Sequence, residues 1–373
     1  MRTEELEKVA KRRKLDLVLV ANQANIRALT GINCDNAILQ TFQTSQTFQT
    51  CLYTDFRYVP MVHRVAPKLK CCDIRQFGKR AGRRSPDRFN RIGYESSISH
   101  ARFLEWQKKF PKAKFVDISK DLAAIRAVKT PDEIAALRAA EKLNCEIWEA
   151  ACGKFKAGMT ERQMARIIQK LMIEKGEGEA FATIVCVGKN AAECHHEPDD
   201  TVWNGREPVL VDMGVKLNGV CSDLTRNLIP CRKGRGRKVE VDKGHFHCPP
   251  PPLTSTYASK LYCKIYQLVL RANLAAIAAA KPGMTGKALD KIARDVIRKG
   301  GFGKCFGHSL GHGVGYEIHE APYASKKGDM VLRPGMLVTI EPGIYLEDNL
   351  GVRIEDLILI TETGCEVLSN CEK

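Results

Sequence analysis

Apolar and polar residues in the first half of the chain follow two alternating rhythms. Residues 3–13 read as a charged helix. DLVLVA at 16–21, AILQTFQ at 37–43 and QTCLYTD at 49–55 read as strands, which together make an α/β pattern. TFQT occurs at 41–44 and again at 47–50, too short for a structural repeat and suited to paired strand ends around a polar turn.

A boundary is expected near Ala127 to Glu133. There Thr130 can cap a helix, Pro131 suits its first position, and Glu133 lies three residues after the cap. The chain therefore divides into 1–127 and 128–373. The stretch 133–155 repeats apolar residues at helical spacing, and 159–176 predicts a second amphipathic helix opened by Thr160. Strands follow in TIVCVG, PVLVDMG and VCSDLTRNLI. A helical stretch at 257–300 comes next, and MLVTIEPGIY and GVRIEDLILI close the pattern as strands, giving α+β. Residues 231–256 are basic, broken by glycine and closed by four prolines, and predict an irregular insert.

The 373 residues suit two domains, and a hydrophobic share of 44% with a charged share of 27% describes a globular chain. The N-terminus lacks the apolar core of a signal peptide, and 268–280 is interrupted by Arg271 and Asn273, so a cytoplasmic protein without a membrane span is expected. Fifteen scattered cysteines with no CxxC pair argue for buried thiols in a reducing compartment, although Cys71 and Cys72 adjoin. The net charge of +16 is concentrated in the first half: 25 Lys and Arg stand against 12 Asp and Glu over 1–127, and 34 against 31 over the rest. No aromatic-interleaved motif accompanies that charge, so a solvated surface is expected in preference to a nucleic-acid face.

The second half carries the chemistry. In PVLVDMGVKLNGVCSDLTRN, a turn at Asn218-Gly219 pairs Asp212 with Thr225 and sets Asp223 diagonally across on the same face. Two carboxylates converging in an apolar run repel each other unless a cation or proton lies between them. Glu341, ending MLVTIE, and Glu355, within VRIEDLILI, form a second inward pair on neighbouring strands. His308, His312 and His319 lie in a glycine-rich stretch that lets backbone approach a compact site, and His195 or His196 can reach the same place. Four carboxylates and a histidine suit two hard or borderline ions such as Mn²⁺.

These residues resemble the pita-bread metallopeptidases, in the branch of Xaa-Pro aminopeptidase and prolidase. GKNAAECHHEP, VLVDMG, SDLTRN, GHSLGHGVGYEIHEAP, TIEPGIY and GVRIED carry the resemblance over most of 128–373, and ALTGINCDNAIL and LYTDFRY carry it in the first half. The resemblance implies an α+β pita-bread catalytic domain preceded by a smaller α/β creatinase-like domain. It implies Asp212, Asp223, His312, Glu341 and Glu355 as ligands of two divalent ions, most simply Mn²⁺ with Co²⁺ or Zn²⁺ as alternatives. A water between the ions would be the nucleophile, and Glu341 would carry its proton to the leaving amine. His319 would stabilise the tetrahedral intermediate, His195 would face substrate with His196 as its competitor, His308 would orient the site, and Arg353 and Tyr345 would lie around substrate and glutamates.

The implied substrates are short peptides with proline second, and the implied assembly is a homodimer. Tyr323 stands where some prolidases carry an arginine that holds a dipeptide carboxylate, which favours an aminopeptidase acting on longer peptides over a dipeptidase. Methionine aminopeptidase shares the catalytic fold but would not need the first domain. Retention of all five ligands argues against a metal-free creatinase-like hydrolase and against a catalytically silent binding protein. Cys231, His245, His247 and Cys248 in the insert imitate a zinc site with poor spacing, and a flexible insert is preferred.

Overall fold

The computed structural model describes residues 2–44, 47–78, 89–230 and 259–373. The insert at 231–256, with its Cys and His residues, lies outside them. By its internal contacts the chain separates into two compact units, Met1–Arg126 and Ala127–Lys373.

The first unit is α/β. Its strands are β1 (Leu17–Val20), β2 (Ala37–Gln43), β3 (Phe48–Thr54), β4 (Lys70–Asp73), β5 (Arg91–Tyr94) and β6 (Lys114–Asp117), with helices α1 (Thr3–Arg13), α2 (Gln23–Thr30), α3 (Val59–Val65), α4 (His100–Lys109) and α5 (Ser119–Ala127). The strands make one sheet in the order β4-β3-β2-β1-β5-β6. The continuous apolar run of β1 has a simple cause. Val18 and Val20 enter one core cluster while Leu17 and Leu19 enter another, because side chains alternate across a sheet covered on both faces. The repeated TFQT does form paired strand ends, with Thr41 opposite Thr50 and Gln43 opposite Phe48.

The second unit opens on α6 (Pro131–Cys152), where Thr130 and Glu133 complete the expected capping box, and continues into α7 (Glu161–Lys175), boxed by Thr160 and Gln163. Strands β7 (Ile184–Val187) and β8 (Val209–Met213) follow, then β9 (Lys216–Leu217), β10 (Val220–Cys221) and β11 (Leu224–Leu228). The stretch read as one helical region is two helices, α8 (Lys260–Ala279) and α9 (Gly286–Lys299). Pro282 cannot donate to the ladder, and Gly283 takes a left-handed φ of 86° between them. The remaining strands are β12 (Gly311–Gly313), β13 (Glu320–Ala324), β14 (Leu337–Ile340), β15 (Gly343–Leu346), β16 (Leu350–Arg353), β17 (Asp356–Ile360) and β18 (Cys365–Val367).

Two of the long apolar runs are broken where a single strand was expected. MLVTIEPGIY becomes β14 and β15, and GVRIEDLILI becomes β16 and β17. Ile340 pairs with Asp356 and Gly343 with Arg353, so the interruptions at 341–342 and 354–355 face each other. Pro342, which offers no N–H, sits in one of them. No helix among the described residues is long and apolar enough to cross a membrane.

Candidate metal centre

Hairpin geometry places the first two carboxylates. Asn218 and Gly219, with φ of 53° and 67°, make the tight turn, and Asp212 on β8 lies opposite Thr225 on β11. Between turn and strands the ladder opens at Gly214 and Ser222. The Ser222 hydroxyl donates to Val215 O at 3.0 Å and accepts its N–H at 2.9 Å. A Cβ on Gly214 would lie 2.3 Å from Ser222 O, so only glycine allows this approach. Asp223 follows in that opening, buried beside Asp212 in the same cleft.

Glu341 and Glu355 occupy the facing interruptions of the second hairpin, outside regular strand. The Glu341 N–H donates to Leu310 O at 2.8 Å and the Glu355 N–H to Thr225 O at 3.2 Å, which ties this hairpin to the histidine stretch and to the first hairpin. His312 enters on β12, its N–H bonded to Thr339 Oγ1 at 3.0 Å. Its Nδ1 faces Gly313 O at 3.2 Å, which assigns the proton there and leaves Nε2 as a lone-pair donor.

All five side chains line one cleft of about 460 Å³. His312 Nε2 lies 3.5 Å from Asp223 Oδ2 and 3.4 Å from Glu341 Oε1. One ligand atom each from Asp223, His312 and Glu355 falls within 4.8 Å of the others. Thr225 Oγ1 donates to Glu355 Oε2 at 2.7 Å and Thr339 Oγ1 to Glu341 Oε1 at 3.3 Å. Arg353 Nη2 donates to Asp212 Oδ2 at 2.6 Å, while Asp212 Oδ1 is buried with no hydrogen-bond partner.

This arrangement is costly without cations. Burial, then repulsion from neighbouring carboxylates, raises Asp223 and Glu355 well above the usual carboxylate range, and burial pushes Glu341 up to about 8 against the opposing pull of Arg353. Burial holds His312 down at about 4, so its imidazole is neutral at neutral pH. Four carboxylates face one guanidinium, one acidic oxygen is orphaned, and a neutral imidazole offers its lone pair. That donor set fits two divalent cations.

The other expected site residues surround this group. His195 and His319 line the cleft on its exposed side, and the His319 ring stands 4.3 Å from that of His312 in an edge-to-face arrangement. His308 accepts from Tyr345 Oη at Nε2, 2.9 Å away, and Tyr345 accepts from Arg353 Nη1 at 2.8 Å, so Tyr345 braces the site together with Arg353, which itself lines the cleft. His196 differs from His195: it is buried, with Nε2 2.7 Å from Glu161. Glu161 also accepts the N–H groups of Val187 and Asp199, so the trio Glu161, His196 and Asp199 is satisfied by internal bonds. Thr225 and Thr339 act on the carboxylates without having been singled out as site residues. Each lies two residues along the chain from a cleft carboxylate, Asp223 or Glu341, and that spacing was their signal.

Comparison with known proteins bears on the family and the fold. Residues 135–362 match the description of metallopeptidase family M24, and 2–128 match the Creatinase/Prolidase N-terminal domain. A curated Xaa-Pro dipeptidase from Pyrococcus furiosus is 39% identical over 234 residues, spanning 61% of this chain and 60% of that relative. The aligned stretch is thus less than two thirds of the relative's length. Among solved structures, a prolidase from Pyrococcus furiosus superposes with a TM-score of 0.82 at 30% identity, covering 98% of this chain and 99% of that one. An X-Pro aminopeptidase from Thermotoga maritima MSB8 superposes with a TM-score of 0.80 at 28% identity, covering 98% of each chain.

Proposed function

The chain belongs to metallopeptidase family M24, and on that premise we propose that it is a metal-dependent peptidase that hydrolyses the Xaa-Pro bond of short peptides. The observation that carries this reading is the convergence of Asp212, Asp223, His312, Glu341 and Glu355 in one cleft, with Asp212 Oδ1 buried and unpartnered. Two divalent ions, most simply Mn²⁺, would supply the positive charge that polarises the scissile carbonyl and lowers the pKa of a water nucleophile.

The chain's own groups divide the remaining work. Glu341, which lines the cleft, accepts the nucleophile's proton and delivers it to the leaving proline nitrogen. His319 and His195 face substrate from the open side, where an imidazole N–H can donate to the developing oxyanion. Burial lowers the pKa of His319, which keeps it a neutral donor. Arg353 and Tyr345 hold Asp212 and His308 in place.

Aminopeptidase action on longer peptides is favoured over dipeptidase action by the lining of the cleft. Among the described residues that line it, the only Lys or Arg is Arg353. Its guanidinium already bonds Asp212, Thr225 and Tyr345, and it is not available to hold a dipeptide carboxylate. The reading as an Xaa-Pro dipeptidase draws on the names of the relatives. Metal-free protein reloaded with Mn²⁺, Co²⁺ or Zn²⁺ and given an Xaa-Pro dipeptide or an Xaa-Pro-Xaa tripeptide separates the two. Faster cleavage of the tripeptide supports the aminopeptidase, faster cleavage of the dipeptide replaces it, and no cleavage with any metal overturns the enzyme reading.

A further inference from the structure

Behind the cleft lies a second buried polar network that touches no substrate-facing atom. Glu141, fully buried on α6, accepts the Asp223 N–H at 3.2 Å and the Ser369 hydroxyl at 2.6 Å. One turn along the same helix, Asn144 donates to Met213 O at 3.0 Å, the carbonyl next to Asp212. Arg226, also fully buried, donates to the carbonyl of Glu355 and bonds Asp356 Oδ1 at 2.9 Å and Cys371 O at 3.1 Å. Asn273 donates to Ile340 O at 2.9 Å, the carbonyl preceding Glu341, and to Asp356 Oδ2 at 2.9 Å. Lys373 closes the set, with Nζ 2.6 Å from Asp356 Oδ2 and 3.0 Å from Asn273 Oδ1.

Each of the four carboxylates in the cleft therefore has a backbone group of its own or of a neighbouring residue pinned from behind. The pins on Asp223, Glu341 and Glu355 meet in the segment 369–373. Burying this many charged and polar groups is costly before they are paired, and packed apolar residues could stabilise such a core equally well. Pairing them all under the carboxylates fixes geometry, which a metal site requires to within about 0.5 Å.

We propose that Ser369 and Lys373 are positioning residues of the metal centre: Ser369 through Glu141 fixes Asp223, and Lys373 through Asp356 and Asn273 fixes Glu341 and Glu355. This rests on the metal reading above. Neither residue faces the cleft, so each acts on metal affinity through the backbone of the ligands.

The test is calorimetric titration of Mn²⁺ into metal-free full-length protein, comparing wild type with Ser369→Ala, Ser369→Thr and Lys373→Met. Thermal stability is recorded for the same samples. Binding of Mn²⁺ by wild type decides the metal reading, and the variants relative to wild type decide this one. Ser369→Ala and Lys373→Met should each weaken Mn²⁺ binding about tenfold, the scale of outer-shell substitutions at metal sites. Ser369→Thr, which keeps the hydroxyl, should bind within twofold of wild type. Should Ser369→Ala fail to fold, Lys373→Met carries the test by the other arm. Variants that lose thermal stability yet bind Mn²⁺ as tightly as wild type would show a purely structural network and overturn the proposal.

Discussion

Replacing Thr225 by valine removes one hydroxyl from the centre and little else. The side chain is fully buried on β11, and valine has nearly the same shape and a comparable strand preference. Its Oγ1 donates to Glu355 Oε2 at 2.7 Å and accepts Arg353 Nε at 3.1 Å. A hydrogen bond to a charged group contributes about 1.5–3 kcal/mol, and a buried donor left unsatisfied costs about 1–3 kcal/mol. Only the first term distinguishes metal-free from metal-loaded protein, because Glu355 must be ionised to hold a cation and the hydroxyl favours its ionised form. At about 1.4 kcal/mol per tenfold, Thr225→Val should weaken Mn²⁺ binding roughly 10- to 100-fold. Titration of Mn²⁺ into the metal-free variant, with circular dichroism to confirm the fold, measures it. A folded variant whose affinity stays within twofold of wild type would refute the reasoning.

His319→Ala should lower kcat for an Xaa-Pro peptide by about 10²–10³ while metal content is unchanged, since it removes one oxyanion donor and no ligand; steady-state kinetics beside metal analysis checks this, and loss of metal would contradict it. His196 gives a pH signature away from the metal: burial opposes its charging, but the bonds to Glu161 and Glu193 raise its pKa overall. A raised folded pKa stabilises the protein fully below the unfolded value of about 6.5 and is lost as pH rises through the folded value. His196→Asn should therefore cost more stability at pH 6 than at pH 8.5 in denaturant titrations, and an equal cost at both would count against the assignment.

The aspartate pair was legible because a tight turn at Asn218-Gly219 fixes register at a distance of only a few residues, and Thr225 does stand opposite Asp212. The helix starts at Thr130 and Thr160 were legible for the same local reason. The broken strands were legible only in part. MLVTIE reads as a strand ending at Glu341, and β14 does end beside it at Ile340, but apolar pattern alone continues through Glu355, and the facing interruption that frees both side chains depends on pairing between segments distant in sequence. The residues alone leave His195 and His196 as alternatives and only the resemblance favours His195; the approach of Glu161 from α7 shows physically that His196 is held as a brace. The frame built from Glu141, Ser369 and Lys373 lies further still from sequence reasoning, because Glu141 and Ser369 are 228 residues apart and neither belongs to a motif.

The central claim is that Asp212, Asp223, His312, Glu341 and Glu355 together hold two divalent ions. Anomalous diffraction from crystals of the protein loaded with Mn²⁺ tests it most directly. The account predicts two peaks in the cleft within coordination distance of these five side chains, and their loss in Asp223→Asn. Absence of metal from the cleft, or a peak only at Glu161, His196 and Asp199, would contradict it.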